Sequence, residues 1–242
     1  MRVETVDSEL LGGNVLSVDP AESTADHEAQ WRGLMHPVLV STKVPVEDLA
    51  AVHAFQKLGF ELVETQLRCT VRPRALQGPT LGLELKPLGG AVTLPALQAL
   101  AAKTFTQDRF THDEAMPKGF SQARYQRFLA RSAESDKERV WGLCRGSDGA
   151  LVGFKSYRLD GDGKATLLLG AVAPECVGLG FGAINGQLEL AKLFEAGVTE
   201  AVTHYPVRNY PIINLELRGL GFALTAAFYV LRKVYAPLQR VF

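Results

Sequence analysis

The apolar positions from residue 37 onward fall into two alternating rhythms. "PVLVSTKV" (37–44) reads as a strand. "PVEDLAAVHAFQKLG" (45–59) sets Leu49, Val52 and Phe55 at helical spacing and stops at Gly59, while "FELVETQLRCTV" (60–71) alternates apolar and polar as a half-buried strand does. Residues 72–90, "RPRALQGPTLGLELKPLGG", concentrate Pro and Gly before an extended segment resumes. That stretch places a boundary near Leu76, giving an N-terminal half over 1–76 and a second unit over 77–242. Two helices follow: "TLPALQALAAKTF" with Thr93 as N-cap and Pro95 in its first turn, and "SQARYQRFLARSAES" with Ser121 as N-cap.

After Lys137 the period shortens. "RVWGLCR", "ALVGFKSYRL" and "KATLLLGAV" are three strands separated by the turns "GSDG" and "DGDG", and Asp-Gly between apolar runs is a hairpin signal. A helix at 183–194, a strand at 198–204, a helix at 212–218 and a strand at 227–235 complete the pattern. A meander that turns into β-α-β-α-β predicts an α/β chain with a mixed sheet. The segment "PVEDLAAVHAFQKLGFELVET" (45–65) also echoes "PVRNYPIINLELRGLGFALTA" (206–226). Both open on Pro-Val, run through a helix and reach Leu-Gly-Phe, which suggests a duplicated unit; the second copy is one residue longer, with Gly219 as the insertion.

The segment "VAPECVGLGFGAINGQLELAKLFEAGV" (172–198) spaces Gly178, Gly180 and Gly182 alternately between a strand and a helix, with no basic residue among them. Three readings stand. As G-x-G-x-x-A it satisfies a dinucleotide fingerprint, but the next strand offers Thr203 and His204 where an acidic ribose ligand belongs. As a cradle, its backbone N–H groups and the following helix N-terminus would hold a diphosphate. As a packing turn, it would use glycine only for close approach.

"VAPECVGLGFGA", together with "NYPIINLELRGLGF" (209–222), resembles the acyl-CoA-binding and second motifs of the GNAT superfamily of N-acyltransferases. "LLGGN" (10–14), "LPALQALAAKTFTQDRF" and the terminal "AAFYVLRK" extend the resemblance over nearly the whole chain, towards the dTDP-fucosamine N-acetyltransferase branch. The resemblance implies a GNAT-like catalytic unit preceded by a truncated GNAT-like half. It implies acyl transfer from acetyl-CoA or another acyl-CoA to the amine of a small acceptor, such as a nucleotide-linked amino sugar. It places the pantetheine arm on Gly170, Ala171 and Val172, and the diphosphate on Val177, Gly178, Leu179, Gly180, Phe181, Gly182 and Ala183, with Asn209 beside them.

Two departures matter. Val177 stands where the family carries Arg or Gln, and the family's Tyr on the last helix falls on Glu216 counted from Asn209 or on Leu217 counted from Gly221. Glu216 would serve as an acid if burial raised its pKa and is otherwise a surface carboxylate. Tyr210 and Tyr205 are substitutes for the missing Tyr, and His204 is a proton relay for the amine. Arg109, His112 and Asp113, with Lys118 and Arg124, are expected to bind the acceptor from the polar segment "FTQDRFTHDEAMP". The departures leave open a donor carried on an acyl carrier protein, or a CoA-binding module without turnover.

Composition changes the picture little. The 26 basic residues balance 26 acidic ones, so no net field draws the chain to nucleic acid or anionic membrane. No apolar run approaches the roughly 20 residues of a membrane span, and the N-terminus lacks a signal-peptide core, so the expectation is a cytoplasmic protein, with a homodimer as a candidate assembly. Cys69, Cys144 and Cys176 show no zinc-ligand spacing and read as buried thiols.

Overall fold

The computed structural model describes residues 1–75 and 78–238; the expected boundary at Leu76 lies outside the described residues. The first half runs β1 (Arg2–Val3), α1 (Thr5–Leu11), β2 (Val15–Val18), α2 (Ala25–Met35), β3 (Leu39–Pro45), α3 (Leu49–Lys57) and β4 (Glu61–Val71). After it come β5 (Leu83–Pro87), α4 (Leu94–Thr104), α5 (Arg109–His112), α6 (Phe120–Glu134), β6 (Glu138–Arg145), β7 (Leu151–Gly161) and β8 (Lys164–Val172). The chain ends with α7 (Phe181–Glu195), β9 (Glu200–Pro206), α8 (Tyr210–Leu215) and β10 (Ala223–Val234). The ten strands form one mixed sheet in the order β1-β2-β3-β10-β4-β9-β8-β7-β6-β5. The α/β mixed-sheet class read from the sequence is the class observed.

Most local signals act as expected. Thr93 accepts from the Ala96 amide and Pro95 sits in the first turn of α4. Val52 and Phe55 are buried against Trp31, Val40 and Val44, but Leu49 is 53% exposed, because the first turn of α3 projects beyond the sheet. Ser121 does not cap α6: Gly119 is the N-cap at φ +88°, and the buried Ser121 hydroxyl instead donates to Asp108 at 3.0 Å. Asp108 in turn caps α5 through the Phe110 and Thr111 amides, so the polar segment between α4 and α6 is partly helical. All three cysteines are buried and free.

The duplication echo has a structural counterpart. In β2-β3-β10-β4-β9-β8 the pairs β2/β3 and β8/β9 are parallel, and each half's last strand crosses over to pair with the other half's middle strand. Pro45 pairs with Phe228 and Pro206 with Gln66, while Phe228 and Gln66 pair with each other. Allowing for the one-residue insertion, these are equivalent positions, so a pseudo-twofold axis passes through the Gln66/Phe228 pair. The inserted residue is absorbed by a π turn over Glu216–Leu220, the usual way a helix accommodates one extra residue.

Candidate active site at the split between two parallel strands

Parallel pairing of β8 with β9 runs only from Lys164/Glu200 to Thr166/Val202. Beyond it the strands part, leaving the Leu167–Val172 stretch of β8 paired on its β7 side alone. A bulge sits at the start of the split: Ser156 faces Leu169 and Tyr157 faces Leu167, so Leu168 stands opposite no residue of β7. Such a bulge re-aims backbone groups beside an opening. Asn185 on α7 fixes the upper edge by donating to the Phe154 and Ala171 carbonyls at 3.1 and 3.2 Å. The Ala171 carbonyl expected to meet a pantetheine amide is thus already engaged, and the neighbouring groups of Gly170 and Val172 remain for it.

Past β8, Pro174–Cys176 makes a short 3-10 turn that leads to the glycines. Gly178 and Gly180 have φ of +84° and +80°, which L side chains rarely adopt, and a Cβ at either would meet nothing within 4 Å. Gly182 is different: it lies in the first turn of α7, and a Cβ there would come within 3.8 Å of Leu215 Cδ2, an ordinary contact. The amides of Gly178, Gly180, Phe181 and Gly182 meet no backbone acceptor among the described residues, whereas those of Val177, Leu179 and Ala183 are hydrogen-bonded. Four free donors beside the N-terminus of a 15-residue helix are suited to an anion. Val177 is 70% exposed, and no basic side chain stands among the glycines.

The cleft below this turn is lined by β8 from Leu167 to Val172 and by Lys155, Glu189, Tyr205, Asn209 and Glu216. The π turn decides between the two counts for the missing Tyr: Glu216 faces the cleft, and Leu217 packs into the apolar layer under α7. Glu216 is buried, not a surface carboxylate. Burial pushes its pKa up to about 7, and Glu189 adds to the rise, while the Lys155 ammonium and the Tyr205 hydroxyl pull the other way. Its Oε2 has no hydrogen-bond partner among the described residues. Lys155 Nζ lies 2.9 Å from Glu189 Oε2, both buried. The Glu189 carboxyl is raised by burial and held back by Lys155, and the Lys155 pKa rises because Glu189 and Glu216 outweigh its own burial. Gly170 is a clearance position: a Cβ there would stand 2.7 Å from Lys155 Cδ.

Alternation along β9 sends Thr203 and Tyr205 to this cleft and His204 to the opposite face. There a second recess is lined by Lys43, Glu64, Gln66, Arg109, His204 and the bulge residues Leu168 and Leu169. Leu168 and Leu169 line both openings, so the two cavities lie on either side of the split. His204 is exposed on that face, and its pKa is lowered to about 4, by desolvation first and then by the Lys43 and Arg68 charges.

The remaining expected site residues scatter. Tyr210 is 67% exposed and lines neither opening, because it starts α8 on its outer side. Tyr205, its alternative, is inside, its hydroxyl pKa driven well up by burial and then by Glu216. Glu216 and His204 do not meet, since they occupy opposite faces of the sheet. Arg109 lines the second recess and pairs with Glu64 at 3.3 Å. Asp113 is committed to Arg232 at 2.7 Å, which with the Ala115 amide outweighs burial and holds the carboxyl below its usual range. His112 and Lys118 are exposed and line neither opening. Arg124 lines the recess and pairs with Asp7 at 2.7 Å. Lys155, Glu189, Glu64 and Gln66 were not singled out in the sequence; the signal for Lys155 was a lone cation inside the apolar strand "ALVGFKSYRL".

A mixed sheet with a split between parallel strands, a glycine turn and a helix N-terminus is the architecture of GCN5-related N-acetyltransferases, and this chain has that fold. A GCN5-related N-acetyltransferase from Sphaerobacter thermophilus superposes with a TM-score of 0.63 at 16% identity, over 89% of this chain and 67% of that one. A tandem GNAT protein from the clavulanic acid biosynthesis pathway gives 0.58 at 16% identity, over 88% and 70%. A GCN5-related glucosamine N-acetyltransferase region of a fungal multi-domain GH3 β-N-acetylglucosaminidase gives 0.60 at 13% identity, over 86% of this chain and 27% of that one. No protein-family model and no curated protein matches the sequence.

Proposed function

We propose that this chain transfers an acyl group, in the simplest case acetyl, from a coenzyme A thioester to the amine of a small acceptor. The observation that carries the reading is the continuity of four free turn amides, an unpaired strand edge and a buried carboxyl titrating near neutrality, all along one cleft. The residues present fit such a donor. The turn amides would hold the diphosphate, the Gly170–Val172 edge would align the pantetheine arm, and the thioester would reach the split at Leu168. Placement itself lowers the barrier by removing the entropy of encounter.

Glu216, part protonated at neutral pH, gives a proton to the departing thiolate. His204 stays neutral but is too weak a base to deprotonate an ammonium ion by itself. The acceptor therefore enters as the free amine from the opposite face, with His204 passing its proton to solvent after attack. Lys155 opposes the rise that burial imposes on both Glu189 and Glu216.

The finer acceptor is an amino sugar on a nucleotide carrier. The resemblance described above and the glucosamine-acetylating fungal neighbour support it. A second reading, a thioester on an acyl carrier protein, is favoured by the exposed apolar Val177 and Leu179 at the turn. Thiol release with acetyl-CoA and a panel of dTDP-amino sugars and simple amines tests the proposal. Turnover with an amino sugar supports the finer acceptor, release only from acyl carrier protein donors supports the second reading, and no release with any donor contradicts acyl transfer.

A further inference from the structure

The second recess lies on the pseudo-twofold axis and takes side chains from both halves. Lys43 and His204 are equivalent positions, each two residues before the proline that opens its copy of the repeat, and both line it. Its polar groups are unequally satisfied. Glu64 is fully engaged: it accepts from Gln66 Nε2 at 2.5 Å, from the Arg109 amide at 3.0 Å and from the Arg109 guanidinium at 3.3 Å. Gln66 is 8% exposed, and its Oε1 has no hydrogen-bond partner among the described residues. A buried carbonyl oxygen without a donor is destabilising, so this atom calls for an N–H group.

Lys43 is the complementary case. Arg109 is neutralised by Glu64 and Arg124 by Asp7, but among the described residues Lys43 has no carboxylate within 4 Å. It also lines the two cavities that continue the recess along the sheet towards Arg2. Lys43 is exposed to solvent on this side; desolvation first and Arg109 next hold its ammonium down to about 8, and Glu64 and Glu4 offset only part of that. One end of the recess thus lacks a donor, and the other lacks an anion.

We infer that the recess binds an acceptor carrying both a primary amine and an anionic group several bonds away, with the amine at Gln66 Oε1 beside the split and the carboxylate or phosphate at Lys43. This rests on the acyl-transfer reading for the amine's fate but not for the binding itself. Lys43, contributed by the N-terminal half, would then give that half a part in selecting the substrate. A small amine lacking the anion would leave Lys43 unpaired and bind more weakly.

The test compares matched pairs on the full chain: glucosamine 6-phosphate against glucosamine, and 5-aminovalerate against 5-aminovaleramide. Binding is read by calorimetry without donor, and thiol release with acetyl-CoA. The expected result is at least 10-fold tighter binding of the anionic member of one pair or both, abolished by Lys43→Gln with coenzyme A affinity unchanged. The pair that responds distinguishes phosphate from carboxylate. Gln66→Leu should weaken both members of the responding pair alike. Equal binding within both pairs, or discrimination that survives Lys43→Gln, overturns the inference. Discrimination in binding without thiol release from any amine upholds the site while contradicting acyl transfer.

Discussion

At the scale of single residues, Glu216 is the side chain on which most depends. Its carboxyl titrates near 4.5 in an unfolded chain and near 7 here, so the folded state holds a proton that the unfolded state releases between those values. Stability attributable to Glu216 therefore falls as pH rises from about 4.5 to 7, by an amount of order 3 kcal/mol. Gln mimics the neutral form, so Glu216→Gln should melt several degrees above the wild type at pH 8 and level with it at pH 4, by calorimetric scanning. The same variant should lower kcat about 10²-fold, leave coenzyme A affinity within a few-fold, and abolish the decline in kcat above pH 7. The buried Lys155–Glu189 pair makes a second test. Lys155→Met strands Glu189 and should cost about 3–5 kcal/mol in urea titrations at pH 8, and less as the pH is lowered, since protonation relieves an unpaired buried carboxylate. None of this was legible as geometry. Whether position 216 or 217 faces the cleft depends on a π turn that absorbs one extra residue, and sequence spacing offers both counts. Lys155 and Glu189 sit 34 positions apart on a strand and a helix, and only their packing brings them together.

At the scale of elements, the glycine turn was legible as a motif but not in the division of labour among its glycines. Gly178 and Gly180 are required by backbone conformation, while Gly182 faces a side chain of α8. Val177 is the informative departure, because its exposed side chain does no packing that a substitution would lose. Val177→Gln should leave stability within about 0.5 kcal/mol and tighten coenzyme A binding several-fold, measured by calorimetry, since the added amide extends the diphosphate's donors. Helix caps follow the local sequence unevenly, for a physical reason. Thr93 acts as predicted, but Ser121 is drawn away by the buried Asp108 carboxylate, a tertiary contact that outcompetes the local one.

At the scale of the molecule, the sequence echo between 45–65 and 206–226 had a meaning larger than similarity: each copy's last strand belongs beside the other copy's middle strand. The two copies are not functionally equal. After β2 the chain enters "DPAES", where Asp19 caps a short 3-10 turn, in place of the glycine turn that follows β8. At the position equivalent to Glu216 stands Phe55, fully buried. One copy carries the glycine turn and the buried carboxyl; the other supplies core and, through Lys43, one wall of the second recess. Because β10 lies between β3 and β4, the sheet is continuous through both copies. Urea unfolding followed by tryptophan fluorescence (Trp31 in the first half, Trp141 in the second) should give coincident transitions; two separated transitions would contradict such coupling.

On the proposed function, free amides of the glycine turn hold the diphosphate of a coenzyme A donor whose arm lies in the split between β8 and β9. Calorimetric titration of the full chain with coenzyme A and with pantetheine, which lacks the diphosphate, tests it most directly. The account predicts one site per chain and affinity for coenzyme A at least 100-fold above that for pantetheine. Absence of binding at millimolar coenzyme A, or equal affinity for the two, would contradict it.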